Sequence, residues 1–391
     1  MTTQKNSTNK KENFVLGIDI GSTFLRACIC EISEYPTPTI FVEEESRGVS
    51  HGVIIDEKKF INSLEKLILK ISKKIKVFPN SVVVSVGGIG LNSATGIGSV
   101  FTSRADGLIS VIDIEKLENI IEAKIGELKN KNVLHKISIK NYIDGKEVMG
   151  TVEGMRGHKI ESKYIFIYDD IKQRDIIESA FKNFNIDIQN IVAGPLADSI
   201  VSLSHRERNI GAVSINIGSE TTSVLVYENS APLLCSVINM GSESLTSDIA
   251  LGLRIDISEA EKIKKGESDK DFLKRRYDEI VEARISFLSE KINEELSRVK
   301  RAELLPSGAV LSGAGAKLAK IEYYMRFEMK VPINNALKNI NKDKFYVEDL
   351  DFVRAYGTCF FADETSESKI ILDTLKKYSL RFGGFVKKFF P

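Results

Sequence analysis

The chain of 391 residues carries 55 Lys and Arg against 54 Asp and Glu, a formal net charge of +1, with 42% hydrophobic and 28% charged residues. That length holds two or more domains with sizeable cores, and the balanced charge gives no electrostatic basis for wholesale nucleic-acid binding. With no run of about eighteen apolar residues, a membrane-spanning helix is excluded, and with four histidines, none beside a cysteine pair, a zinc site is not expected.

In chain order, Met1–Asn13 is polar, rich in Lys, Asn and Thr, and expected to be disordered, with no secretory signal before the first strand. The bulk of the chain is therefore expected in the cytoplasm. Phe14–Ile29 alternates as strand, turn and strand, and Cys28 and Cys30 share a face of the second strand. Together with Cys235 and Cys359 they are expected to be buried or inert thiols of a reducing compartment. Phe60–Ile75 places Leu64, Leu67, Ile68 and Ile71 at helical spacing with lysines opposite. Ser81–Val86 is a β-branched strand that opens into a glycine-rich segment running to Gly98. Asp113 is expected to cap a helix reaching about Gly126. Strand signals follow at Lys136–Tyr142 and Lys163–Tyr168, a helix over residues 171–184, and strands again at Asp187–Val192 and Gly211–Val226. Asp256–Glu303 is helical and heavily charged, and Ala309–Leu311 is a strand leading into a glycine turn and a short helix.

Two of these strand-turn-strand units say the same thing. The first reads Asp19-Ile20-Gly21-Ser22-Thr23, the second Asn216-Ile217-Gly218-Ser219-Glu220-Thr221-Thr222. A Gly-Ser/Thr hairpin tip offers clustered N–H groups and hydroxyls, and glycine lets the main chain approach a phosphate. Two such tips grip a nucleotide from both sides, and Asp19 is placed to hold a hydrated Mg²⁺ through its water shell. Each tip alone is equally a β-turn with a solvated acid. Ser312-Gly313-Ala314-Gly315, between a strand and a helix, suits passage of a ribose or phosphate, or is simply a glycine-rich turn. The basic end of Ser258–Gly266 is what the helix dipole alone would favour. The two units begin two α/β halves, near residues 14 and 210, a degenerate internal duplication.

The C-terminus carries a separate signal. Counting from Phe382, Phe385, Val386, Phe389 and Phe390 fall at +3, +4, +7 and +8, one helical stripe, with Arg381, Lys387 and Lys388 on its flanks. An aromatic face with a basic rim describes an interfacial membrane helix. A helix docked on the protein's own core is the alternative. Gly383-Gly384 lowers intrinsic helicity by about 1 kcal/mol per glycine, so the helix is expected to form on contact. Each half-buried Phe contributes about 1 kcal/mol and each basic residue near anionic lipid about 1 kcal/mol. One tail binds weakly; an array of tails binds tightly through avidity.

The order of these motifs resembles the actin/Hsp70/sugar-kinase superfamily, and within it the FtsA family of bacterial cell-division proteins. The residues that carry the resemblance are the run Gly17–Thr23, the stretch Val82–Gly96, Gly154-Met155-Arg156-Gly157 and Met240–Ala250. The resemblance implies an α/β actin-like (ribonuclease H-like, duplicated) fold of two lobes and four subdomains around a nucleotide cleft. Subdomain 1A would comprise 14–87 and 164–195, completed by about 350–362, and 88–163 would form an FtsA-type inserted subdomain 1C. Residues 196–245 and 306–349 would be 2A, 246–305 would be 2B, 363–377 a linker and 378–391 the membrane helix. It also implies ATP and Mg²⁺ in the cleft, with Asp19, Gly21, Ser22 and Thr23 in the first loop and Asn216, Gly218, Ser219, Thr221 and Thr222 in the second. Gly313 and Gly315 would face the adenosine, and Glu261 and Lys264 would line the base or ribose. Implied partners are FtsZ, further copies of the chain in an actin-like filament, anionic lipids and later division proteins, on the cytoplasmic face of the inner membrane at the division site.

Three departures from the family pattern involve five positions. Asn216, Ser219 and Glu220 replace the acid and two glycines of D-I-G-G-G-T-T, Phe24 replaces a basic residue, and Ser223 stands where an acid often follows the paired threonines. Asn keeps the shape of Asp but not its charge, and Glu220 beside the phosphates would repel them unless it points away or takes over the metal. The expectation is retained nucleotide binding with weak or absent hydrolysis, raised by Asn216→Asp. A sugar or metabolite kinase and a pilus-assembly actin-like protein are the alternatives on the same fold; neither calls for the basic aromatic tail.

Overall fold

A computed structural model describes residues 14–32, 36–75, 78–79, 81–267, 274–340 and 347–362. The first half opens with an antiparallel meander, Phe14–Ile20 (β1), Phe24–Ile32 (β2) and Pro36–Glu45 (β3), followed by a small ribbon of Val49–Ser50 (β4) and Val53–Ile54 (β5). Glu57–Lys74 (α1) carries the chain back to Ser81–Val86 (β6), parallel to β1. An insertion of Asn92–Phe101 (β7), Val111–Lys124 (α2), Lys131–Ile143 (β8), Lys146–Val148 (β9) and Lys159–Asp170 (β10) forms its own antiparallel sheet in the order β7-β10-β8-β9. Ile171–Lys182 (α3) and Ile188–Ala193 (β11) complete the first sheet, β11-β6-β1-β2-β3.

Gly194–Ser202 (α4) and His205–Ile210 (α5) lead into a second meander, Ala212–Ile217 (β12), Thr222–Glu228 (β13) and Ala231–Ile238 (β14). Three helices follow, Ser242–Leu253 (α6), Ile257–Lys265 (α7) and Lys274–Arg298 (α8), then Ala309–Ser312 (β15), Ile321–Met329 (α9), Ile333–Asn335 (β16), Leu337–Ile340 (α10) and Val353–Thr358 (α11). The second sheet runs β14-β13-β12-β15-β16. Replacing β1, β2, β3, β6 and β11 by β12, β13, β14, β15 and β16 turns one strand order into the other. The duplication expected from the hairpins is thus a property of both whole sheets.

Each half's last helix packs on the other half's sheet, α4 on β12 and β13, α11 on β1, β2 and β6. Val15, Val83, Leu196, Val213, Ile215 and Tyr356 accordingly share one central core. The opposite face of the first sheet packs Leu16 and Ile18 under Phe60, Leu64 and Leu67 of α1 and Phe181 of α3. Gly17 lies under α11: a Cβ there would stand 2.4 Å from the Ala355 carbonyl oxygen, so only glycine admits the helix.

Four details differ from the sequence reading. The glycine-rich stretch contains a strand, β7, because Gly96 and Gly98 pass beneath α2, where a Cβ would meet Ile121 at 2.5 and 2.6 Å. α2 starts two residues before Asp113, capped by Ser110, and Asp113 reaches back to the Ser110 N–H as the other half of a capping box. β3 and β14 were not apparent from alternation; both are edge strands carrying proline, which an edge tolerates. Finally, α11 brings Cys359 onto the face shared by Cys28 and Cys30, and the three sulfurs lie within 4.8 Å of one another. All four cysteines are buried. Among the described residues no helix is long and apolar enough to cross a membrane. The tail residues Arg381, Phe382, Phe385, Val386, Lys387, Lys388, Phe389 and Phe390, with the 363–377 linker, lie outside the described residues.

Candidate functional site

The two hairpin tips face one cleft between the sheets. Asp19 and Asn216 occupy the same place, next to last in β1 and β12. Ser85 of β6 donates to Asp19 Oδ1 at 3.0 Å, and Asn216 Nδ2 donates to Ser312 of β15 at 3.0 Å, so each is tied to its neighbouring parallel strand. Both tips turn tightly against their own carbonyls: a Cβ on Gly21 would stand 2.7 Å from Phe24 O, and one on Gly218 would stand 3.0 Å from Thr221 O.

The floor of the cleft holds a pair that sequence reasoning missed. Arg354 of α11 donates through Nε and Nη2 to Asp198 Oδ2 of α4, at 2.9 and 2.7 Å, and through Nη2 to Ser223 Oγ at 2.8 Å. Its Nη1 lies 4.0 Å from Asp19 Oδ1, and Asn216 Nδ2 donates to Asp198 Oδ1 at 3.2 Å. Gly87 and Gly194 make the room, since a Cβ at either would come within 2.6 and 2.8 Å of the guanidinium. Burial pushes the Asp198 carboxyl up to about 6 despite the adjacent guanidinium. Burial also opposes the Arg354 charge, but Asp198 and Asp19 outweigh it and hold the guanidinium cationic. Those shifts pull in opposite directions for the pair; the two-pronged contact and the amide donor on Asp198 are what an ionised pair requires.

At the mouth, Glu220 accepts from the His51 N–H in the β4–β5 turn, and the adjacent Gly52 N–H donates to Ser22 Oγ at 2.9 Å. The carboxylate expected either to repel phosphates or to bind metal thus reaches across to the opposite lobe. The Ser242 and Glu243 N–H groups at the start of α6 donate to the Gly218 and Ser219 carbonyls, each at 2.9 Å, and Thr222 Oγ1 donates to Met240 O. An apolar pocket lined by Ile217, Met240, Leu245, Ile285, Leu288 and Leu318 opens beside this loop.

The other candidate residues have internal work as well. Gly313, at φ +82°, and Gly315 press against β12, where a Cβ would meet Ile217 O at 2.6 Å and Ile217 Cγ2 at 2.2 Å. Their glycines are therefore required by packing. Glu261 and Lys264 pair at 2.6 Å and both bond Thr246 Oγ1, while Lys264 also reaches Ser242 O, clamping α7 to α6 beside the second loop. Thr23 is exposed and Thr221 half-buried at their tips.

Asp19 is the carboxylate of the floor that Arg354 does not bond, and the residue that would hold a hydrated Mg²⁺. Such an ion keeps several waters and needs only one or two carboxylates beside the phosphates it serves. Here Asp19 accepts from Ser85 with a guanidinium 4.0 Å away, Asp198 is engaged by Arg354, and Asn216 and Ser223 are uncharged. Sequence spacing carried no hint of this, because Arg354 and Asp198 stand 156 positions apart.

Comparison with known proteins bears on the whole architecture. The family model described as "Cell division protein FtsA" matches residues 213–351. The chain is 25% identical over 381 residues to the cell division protein FtsA of Bacillus subtilis, covering 90% of this chain and 84% of the relative. Among solved structures, the PilM-PilN type IV pilus biogenesis complex superposes with a TM-score of 0.64 at 15% identity, over 88% of this chain and 97% of that one. MreB5 of Spiroplasma citri bound to ADP gives 0.52 at 13% identity, over 92% and 99%. The duplicated sheets with helices exchanged between them are the actin-like α/β fold, and the chain is similar over most of its length to cell division proteins named FtsA.

Proposed function

We propose that this cell division protein is a nucleotide-dependent filament subunit that ties FtsZ filaments to the inner face of the cytoplasmic membrane and helps recruit later division proteins. The observation that carries the reading is the facing pair of hairpins, Gly21–Thr23 and Gly218–Thr222, placed by matching strands of a duplicated fold. The tips supply N–H groups and hydroxyls for the phosphates of ATP. The nucleotide sets the angle between the halves and so the shape of the subunit that polymerises. Residues 14–87 with 164–195, 88–163, 196–245 with 306–349, and 246–305 act as the four subdomains. Hydrolysis is slow or absent, because Asn216 and Ser223 offer no carboxylate to orient water.

The tail supplies the anchor, its stripe from Phe382 to Phe390 entering the lipid interface and Arg381, Lys387 and Lys388 meeting anionic headgroups. Pelleting with FtsZ filaments on anionic phospholipid vesicles tests the reading. The full chain brings FtsZ down with the vesicles, and a chain lacking residues 378–391 leaves it in the supernatant. Recruitment unaffected by the deletion would overturn the proposal.

A further inference from the structure

The central core holds a group of sulfurs that the nucleotide site does not use. We infer that Cys28, Cys30 and Cys359 form a three-sulfur site for a soft monovalent cation, and that Cu(I) is the ion whose chemistry it fits.

The fold assembles the group from two distant parts of the chain. Cys28 and Cys30 stand two apart in β2, so the pleat turns both side chains to one face, and their Sγ atoms lie 3.6 Å apart. Cys359 arrives at the end of α11, and the three sulfurs lie within 4.8 Å of one another. Gly17 of β1, the cross-strand partner of Cys28, clears the space, since a Cβ there would stand 2.8 Å from Cys359 Sγ. An ion held at about 2.3 Å by three sulfurs around it sets them about 4 Å apart, a spacing within the limits observed.

The number and softness of the donors choose the ion. Thiolate sulfur favours Cu(I) and zinc over hard cations. A zinc site takes four ligands, or three with an open position for water. Among the described residues no fourth His, Cys, Asp or Glu joins the group. The three cysteines are at most 1% exposed and offer no face to solvent. Three sulfurs without a fourth donor suit a trigonal monovalent ion.

The charge closes as well. Cys359 Sγ donates to the Cys28 carbonyl at 3.4 Å and to the Ala355 carbonyl at 3.6 Å, as a neutral thiol does. Cu⁺ displaces one thiol proton to solvent, leaving one thiolate and two thiol sulfurs around a single positive charge. Copper keeps its oxidation state, and the apolar core gains no net charge. The bound ion staples β2 to the end of α11, the helix that carries Arg354 to the cleft floor.

The full chain, mixed under nitrogen with Cu(I) as its violet bicinchoninate complex and ascorbate as reductant, tests the inference. One equivalent of copper should leave the indicator for the protein, and X-ray absorption at the copper edge should show three sulfur neighbours. Cys30→Ala should weaken the uptake about a hundredfold or more, whereas Cys235→Ala, outside the group, should leave it unchanged. Failure to draw copper from the indicator, together with copper-free protein from copper-fed cells, would overturn the inference. So would uptake that Cys30→Ala leaves intact, the mark of adventitious binding, or a copper centre with fewer than three sulfurs. If the melting curve shows that Cys30→Ala does not fold, the absorption spectrum of the unaltered chain decides alone.

Discussion

Asn216 and Glu220 sit two residues before and two after Gly218 at the same hairpin tip, yet they act in different directions. Glu220 spans the cleft mouth to the His51 N–H, so its carboxylate holds the lobes together where phosphates would enter. Glu220→Ala should therefore raise affinity for the fluorescent ATP analogue several-fold, while losing about 1 kcal/mol or less of stability for one part-exposed hydrogen bond. Asn216 points inward. From sequence alone, Asn216→Asp would restore an acid and raise hydrolysis; in the fold it would set a second carboxylate 3.2 Å from buried Asp198 and forfeit two donated hydrogen bonds. We expect a lower melting temperature and no gain in phosphate release, with Asp198→Asn recovering part of the lost stability. Arg354→Met alone should be the costlier change, about 3–5 kcal/mol by urea unfolding, because it strands the Asp198 carboxylate without its partner. None of this pairing was legible in the chain. The hairpin residues announce themselves by adjacency, whereas Asp198 and Arg354 are single charges in apolar runs 156 positions apart.

Among the elements, α2 shows how cap and cover cooperate. Ser110 and Asp113 close its first turn reciprocally, and its Leu117 and Ile121 cover the glycine floor of β7. Burial works against the ionised Asp113, but the N–H and hydroxyl of Ser110 and the N–H of Ser103 outweigh it and lower the carboxyl from 3.8 to about 2. A depressed acid stabilises fully above its unfolded pKa, and that contribution disappears as pH falls through the folded value. The native chain should therefore lose more stability than Asp113→Asn between about pH 4 and pH 2, as read by urea midpoints. Ser110→Ala should cost about 1 kcal/mol at neutral pH. Helical spacing located α1, α3 and α8, since their apolar faces repeat within a few turns. β7 was missed because its glycines answer to Ile121, a residue on another element, and β3 and β14 because prolines at a sheet edge break the alternation.

For the whole molecule, the exchange of α4 and α11 between the halves makes a single central core out of two sheets. It also buries Cys28, Cys30 and Cys359 together, and burial raises the Cys28 and Cys30 thiols. We expect all four cysteines to resist a dithiobis-nitrobenzoate reagent in buffer and to react together on denaturation; prompt labelling of the native chain would contradict the packing. By itself the sequence determined the two hairpins, the long helices, the duplicated α/β class and the family resemblance, because each is written in neighbouring residues or in their order. The tertiary structure alone decided that the halves repeat strand for strand, that Glu220 crosses the cleft, and that an arginine occupies its floor. Those contacts join residues more than a hundred positions apart, and the crossing of α4 and α11 brings the charges of Asp198 and Arg354 within reach of one another.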